Sequence, residues 1–176
     1  MVGRKQVLVL LLFLLFILER TIVPWLIPEA LQLRITHNFV LIAILFVSVY
    51  YHRHTALVLG IVFGMLHDIV FYGEMMGTYS FAMGFTAYVI GFIFKGSRSP
   101  MPVMMTAIVL GSLLFDSTLF GIYKLFQLNH TSYNWAILHY MLPDVIIHFV
   151  FGLIIYVPLR KQLEQLTRYN KKEKAS

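Results

Sequence analysis

Six long apolar segments divide the chain, and they restrict its fold more than any other feature of the sequence. A helix that crosses a bilayer core about 30 Å thick needs about 20 mostly apolar residues, within a range of about 17–25. The first segment extends to a helix over residues 6–27, and the second approaches this length only as residues 36–51. The pattern predicts an all-α integral membrane protein with six transmembrane helices. The apolar segments are Leu8–Leu18, Phe39–Tyr50, Thr55–Tyr72, Thr78–Phe94, Val103–Tyr123 and Ile137–Val157.

The composition excludes an ordinary water-soluble domain. Of the 176 residues, 59% are hydrophobic and only 12% are charged, and the mean hydropathy is +0.78. A soluble domain of this size could not bury so much apolar surface. The chain has no cysteine, which excludes a disulfide framework, a thiol nucleophile and a thiolate metal site. We predict a single transmembrane domain over residues 1–159 and a basic cytoplasmic tail over residues 160–176.

The distribution of Lys and Arg predicts the orientation of the chain. With the amino terminus placed in the cytoplasm, eleven of the 14 basic residues fall on the inner side and three on the outer side. The positive-inside rule therefore places both termini in the cytoplasm. The sequence pI of about 9.6 then indicates topology and contact with anionic lipid, not nucleic acid. The basic and apolar start resembles a signal peptide, but Glu19 and Arg20 follow where a small-x-small cleavage site would stand, so we expect a retained first helix.

Several polar residues lie deep within the predicted helices. At 1.5 Å per residue, Asp68 stands about 20 Å from the cytoplasmic end of its helix, and the others fall at similar depths. An ionised Asp at the centre of a membrane helix costs about 2.5–3.5 kcal/mol on insertion scales, so we expect these side chains to interact with one another. Arg20 is expected to be the fixed counter-charge that faces Asp68 or Asp116. The predicted polar layer comprises Glu19, Arg20, Asp68, Asp116, Asp144 and His148.

Three interpretations of this layer stay open on the sequence alone. The first is a network that fixes helix register or contacts a partner, with some of the acids protonated. The others are a substrate site and a proton or cation relay, although the inner half of the predicted helices lacks a ladder of acids. The His52-x-His54 turn makes a poor metal cage, and nothing resembles a Ser–His–Asp triad or a phosphate-binding glycine loop. We predict no catalytic residue, no metal site and no cofactor.

Small residues recur along one face of the third and the fourth predicted helices. Such stripes allow membrane helices to approach closely. The stripes predict a seam between these two helices, with a partner helix as the alternative for any exposed part. Pro143 is expected to kink the sixth helix and Pro158 to end it. The residues predicted to pack helices or bind a partner are Gly60, Gly64, Gly77, Ser80, Gly84, Ala87 and Gly91.

The stretch GIVFGMLHDIVFYGEMMGTYSFAMGFTAYVIGF resembles the signature of the rod shape-determining protein family MreD. In that family a G-x-x-x-G pair and an aspartate precede a short turn, a glycine and an apolar helix. Here those positions are Gly60, Gly64, Asp68 and Gly77. Length and six-helix topology are similar over the whole chain. Further resemblance to members from Firmicutes lies at Glu19, at Pro143 and at residues 157–160.

The resemblance implies a non-enzymatic scaffold of the bacterial elongation machinery (elongasome), multi-pass in the plasma membrane, that maintains cell shape and helps to position lateral peptidoglycan synthesis. It implies binding to MreC and action alongside MreB, RodZ, RodA and a class B penicillin-binding protein. It also implies a fold similar to the substrate-binding subunits of energy-coupling-factor transporters. Such a vitamin-binding subunit is the alternative function, although helix one is bulky where those subunits carry small residues. Contact with membrane lipid is expected, binding of nucleic acid is not, and a homo-oligomer is left open.

Overall fold

The computed structural model describes residues 4–21, 38–70, 75–94, 100–128 and 131–173, and these residues form helices without any strand. The last three helices follow one another without a break, so the described residues form six helical segments. The helices are α1 (Arg4–Thr21), α2 (Phe39–Tyr50), α3 (Arg53–Val70), α4 (Thr78–Ile93), α5 (Met101–Leu125), α6 (Tyr133–Ala136), π1 (Ile137–Met141) and α7 (Leu142–Glu173).

Three of these segments are long and apolar enough to cross a membrane. They cover Arg53–Val70, Met101–Leu125 and Tyr133–Leu163. The other apolar helices are shorter: α2 has 12 residues and α4 has 16. At 1.5 Å per residue, α2 is about 18 Å long, well below the thickness of a bilayer core. The all-helical architecture is confirmed for the described residues, and the full count of six spans stays a prediction.

The short helix α2 lies at the centre of the fold. Each of its residues from Val40 to Tyr50 is buried, and the helix contacts α1, α3, α4, α5 and α7. A helix that is apolar on every side is a core helix, and the other helices provide its apolar surroundings. Because this helix begins inside the protein, where Asn38 and Val40 are buried, its first N–H groups must find partners on neighbouring elements.

Helices α3 and α4 form a tight antiparallel hairpin. A Cβ atom added at Gly60 would lie 2.9 Å from the Cα atom of Gly84, and one added at Gly64 would lie 2.5 Å from the Cα atom of Ser80. No side chain fits at these distances, so the two backbones touch only because glycine is present. The Ser80 hydroxyl also donates a hydrogen bond of 2.9 Å to the Ile61 carbonyl across the seam.

The rest of the small-residue stripe on α4 has other neighbours. Gly91 packs against Ser48 of α2 and the Cβ atom of Arg53, and the Ser48 hydroxyl donates a hydrogen bond to the Ala87 carbonyl. Gly77 precedes α4 with a φ of 92°, a left-handed conformation that favours glycine. From its first residue to its last, the stripe therefore forms a turn, then the seam with α3, and then the contact with α2.

The structure bears differently on the two prolines of the last segment, since the kink at Pro143 stays a prediction and the end at Pro158 is contradicted. The π-helix Ile137–Met141 ends two residues before Pro143. A wider turn at this place suits the missing N–H group and the bulky ring of Pro143. The prediction that Pro158 ends the helix is wrong, because α7 continues through it to Glu173. Leu159 and Leu163, beyond that proline, are buried in the main core, and their packing holds the helix together.

The seam predicts a sharp contrast between two glycines. Gly64→Ala should lower the free energy of unfolding by about 1–3 kcal/mol, since the new methyl group meets backbone atoms that cannot rotate away. Gly121→Ala adds the same atoms where nothing lies within 4 Å, and it should leave stability unchanged or raise it by up to about 1 kcal/mol. Thermal unfolding of the purified proteins in detergent measures both effects. Equal melting temperatures for the two variants would contradict the close approach of α3 and α4.

Candidate functional site

Asp68 holds the amino terminus of the next helix. Its side chain is buried, and its Oδ2 atom accepts hydrogen bonds from the backbone N–H groups of Gly77 at 3.0 Å and Ser80 at 3.2 Å. Its Oδ1 atom accepts another from the N–H group of Tyr79 at 3.2 Å. The first N–H groups of a helix have no partner within the helix, and a carboxylate there also interacts favourably with the helix dipole. Asp68 is therefore the cap that α4 lacks at its own N-cap residue, Gly77.

The amino terminus of α2 is capped in the same manner by two other helices. The backbone N–H group of Asn38 donates to Nε2 of His148 at 3.2 Å, and that of Val40 donates to Oε2 of Glu19 at 3.2 Å. The N-cap residue Asn38 makes no capping hydrogen bond with its own side chain. Because Glu19 lies on α1 and His148 on α7, this one helix end joins distant parts of the chain.

The hydrogen bonds of His148 define its protonation state. Since Nε2 accepts from the Asn38 N–H group, it carries no proton. The other ring nitrogen, Nδ1, lies 2.9 Å from Oγ of Ser112 and donates its proton to that oxygen. The tautomer follows from the geometry of these two bonds. A neutral and fully buried His148 thus connects α2, α5 and α7.

Asp116 and Asp144 lie beside this histidine. Ser112 and His148 pair two antiparallel helices; Asp116 follows Ser112 by one turn on α5, and Asp144 precedes His148 by one turn on α7. Both carboxyl groups therefore lie on the same side of the Ser112–His148 bond, where they interact electrostatically. Both are buried, and Oδ2 of Asp116 accepts no hydrogen bond.

The predicted polar layer therefore divides into a cap for α4, a cap for α2 and an acid pair. Asp68 forms the first, Glu19 and His148 form the second, and Asp116 and Asp144 form the third. The side chain of Arg20 lies outside the described part of the structure, so its predicted pairing with Asp68 or Asp116 stays a prediction. The partners that the structure gives Asp68 are backbone amides.

His67, which no sequence pattern singled out, is buried beside Asp68. Its ring stacks on Tyr79 at a centroid distance of 4.1 Å and meets the edge of Phe16 at 6.5 Å. Tyr79 in turn meets Phe115 edge to face at 5.8 Å. This row of rings joins α1, α3, α4 and α5 below the cap. A second polar residue directly before Asp68 in an apolar helix was the available sign.

Comparison with known proteins supplies the family. The family model of the rod shape-determining protein MreD matches residues 4–166. The chain belongs to the MreD family. The rod shape-determining protein MreD of Bacillus subtilis (strain 168) is 25% identical over 123 residues, which cover 70% of this chain and 71% of that protein. No solved structure matches the chain.

Membership in the MreD family confirms the resemblance seen in the sequence and gives the chain a role in rod shape determination. The family match covers both capping sites and the acid pair. Within the described residues no group of three His, Cys, Asp or Glu side chains could hold a metal ion. The expected likeness to the substrate-binding subunits of energy-coupling-factor transporters stays a prediction.

The cap on α4 predicts graded effects at Asp68 in this MreD-family chain. Asp68→Asn keeps one acceptor oxygen for the amides and should retain much of the stability and function. Asp68→Leu leaves three partly buried amide groups without these acceptors; a fully buried unpaired group costs about 1–3 kcal/mol, and partial exposure lowers that cost. Melting temperature and membrane abundance measure the difference. A tolerated leucine beside a failed asparagine would contradict the capping role.

Proposed function

We propose that this chain is a non-enzymatic, multi-pass scaffold of the rod-shape machinery in the bacterial plasma membrane, with both termini in the cytoplasm, and that it binds MreC. The observation that carries the proposal is an apolar groove on the outside of the α3–α4 hairpin. A scaffold within a membrane must offer its partner a helix surface, and this hairpin offers one. The polar groups Asp68, Glu19 and His148 support the proposal, because they bind helix ends and thus make the scaffold rigid.

The groove is proposed to receive side chains of a single transmembrane helix. It has a volume of about 410 Å³. Small residues form its floor, which allows a partner backbone to come close, and bulky side chains form its walls. Two wall residues of α4, Phe81 and Phe85, are exposed and stack on each other at 5.7 Å. The floor consists of Gly77, Ser80 and Gly84, and the walls of Leu57, Ile61, Phe81, Phe85 and Tyr88.

Only some of the residues that the sequence suggested as a docking surface line the groove. Ala87 and Gly91 are buried and face α2, so they do not line the groove. Gly84 lines it, but a Cβ atom at Gly84 would also lie 2.9 Å from Cγ1 of Ile61. A large substitution at Gly84 would therefore disturb α3 as well as a partner. The wall residues of α4 are the cleaner positions for a test.

A role as the substrate-binding subunit of a vitamin transporter, the alternative, has no support from the family match. The proposal also includes action alongside MreB, RodZ, RodA and a class B penicillin-binding protein. These partners rest on the family resemblance alone. Among these partners we assign the groove to MreC, because the family resemblance implies that MreC crosses the membrane with a single helix and the residues that line the groove are mostly apolar.

The proposal predicts a change of cell shape. In the rod-shaped bacterium that carries this gene, depletion of the protein should give round or wide cells with dispersed lateral wall synthesis, because the wall machinery loses a positioning component. Cell width and labelling of new wall by microscopy measure the effect, and re-expression of the wild-type chain is the control. Normal rods after depletion, together with failed vitamin uptake, would favour the alternative.

The groove predicts where a partner helix cross-links. The chain has no cysteine, so single cysteines at Phe81, Phe85 and Tyr88 can each be combined with cysteines along the transmembrane helix of MreC. We expect cross-links at these positions in native membranes. Cysteines at Phe13 of α1 and Ile154 of α7, which are also exposed, serve as controls. Cross-links at a control position alone, with the complex still recovered, would move the interface to another face.

A further inference from the structure

Asp116 takes part in neither helix cap. It lies on α5, one of the helices long enough to cross a membrane, and only 8% of its surface is exposed. Its Oδ2 atom is buried and has no hydrogen-bond partner. An ionised carboxylate is an acceptor only, so a buried oxygen without a donor loses its hydration and gains nothing in return. Asp68 differs, since its two side-chain oxygens accept hydrogen bonds from three N–H groups.

The charged groups around Asp116 make ionisation still less favourable. Among the described residues, Asp144 on α7 has the same sign and interacts with Asp116 electrostatically. His148 on α7 carries no positive charge, because Nε2 accepts a hydrogen bond and only Nδ1 carries a proton. The titratable side chains of α2 and α4 are tyrosines only. Lys124, further along α5, is exposed at the end of the helix.

We propose that Asp116 and Asp144 together bind one proton, held on Asp116, so that the pair carries one negative charge instead of two. A neutral acid needs far less solvation than a carboxylate, and it removes the repulsion between α5 and α7 at their shared polar site. The chemical class of the ligand is thus a proton.

The composition of the chain makes the test direct, because Asp68, Asp116 and Asp144 are its only aspartates. Protein grown with aspartate labelled by ¹³C at the side-chain carboxyl gives three signals in a magnetic resonance spectrum, and the chemical shift distinguishes the acid from the carboxylate. At neutral pH, in lipid bilayers, we expect one signal at the position of the acid. Asp116→Asn should remove that signal, and the matched control Asp68→Asn should remove a carboxylate signal and leave the acid signal in place.

Several results would overturn the proposal. Three carboxylate signals in the wild-type spectrum would show that the pair binds no proton. An acid signal that disappears in Asp68→Asn would place the proton on Asp68. An acid signal that persists in Asp116→Asn would place the proton on a residue other than Asp116. If Asp116→Asn fails to fold, the wild-type spectrum and those of Asp68→Asn and Asp144→Asn still decide, because they assign all three signals.

A second measurement separates a proton site from a merely structural residue. If Asp116 is already neutral, the isosteric and neutral Asp116→Asn should keep the melting temperature of the wild type. Asp68→Asn replaces a charged cap and should lower it. A loss of stability in Asp116→Asn equal to that in Asp68→Asn would mean that Asp116 contributes as a carboxylate, contrary to the proposal.

Discussion

The fold depends on the need to satisfy the first backbone N–H groups of two short helices at places that are wholly or partly shielded from solvent. A helix that spans a bilayer from one surface to the other can leave its ends in water, but the first N–H groups of α2 and α4 bind side chains of other helices. Each unpaired N–H group at such a place costs about 1–3 kcal/mol. Asp68, Glu19 and His148 supply the acceptors, and they explain why an apolar chain carries polar residues at this depth.

These caps also determine how the helices assemble. Asp68 sits on α3 and binds α4, so it fixes the hairpin in register with the glycine contacts at Gly60 and Gly64. Glu19 and His148 bring α1 and α7 to the same end of α2. The outside of the hairpin is then left with an apolar groove, whose shape follows from the seam beneath it. The surface proposed for the partner helix is thus a consequence of the caps.

The polar layer is better understood as a set of structural contacts than as a reaction centre. Its carboxylates and its histidine bind backbone groups and hydroxyls, and the aromatic row through His67 packs directly beneath. This agrees with a family whose role is cell shape. Asp116 differs from the others because it takes part in neither cap. The proposed proton makes Asp116 neutral, which explains how its side chain can be buried without a hydrogen-bond donor.

The sequence by itself determined the helical class, the apolar segments, the family signature around Asp68 and the residues of the α3–α4 seam, because hydropathy and the spacing of small residues are local properties. It also drew attention to the acids that proved to be buried. Their partners could not be predicted: backbone N–H groups leave no mark in a sequence, and the contact between Asn38 and His148 joins residues 110 positions apart. The continuation of α7 through Pro158 was likewise decided by tertiary structure, since the packing of Leu159 and Leu163 outweighs the local preference of proline. Local patterns determine which segments are helices, whereas only the assembled fold decides which helix ends are buried and which side chains must cap them.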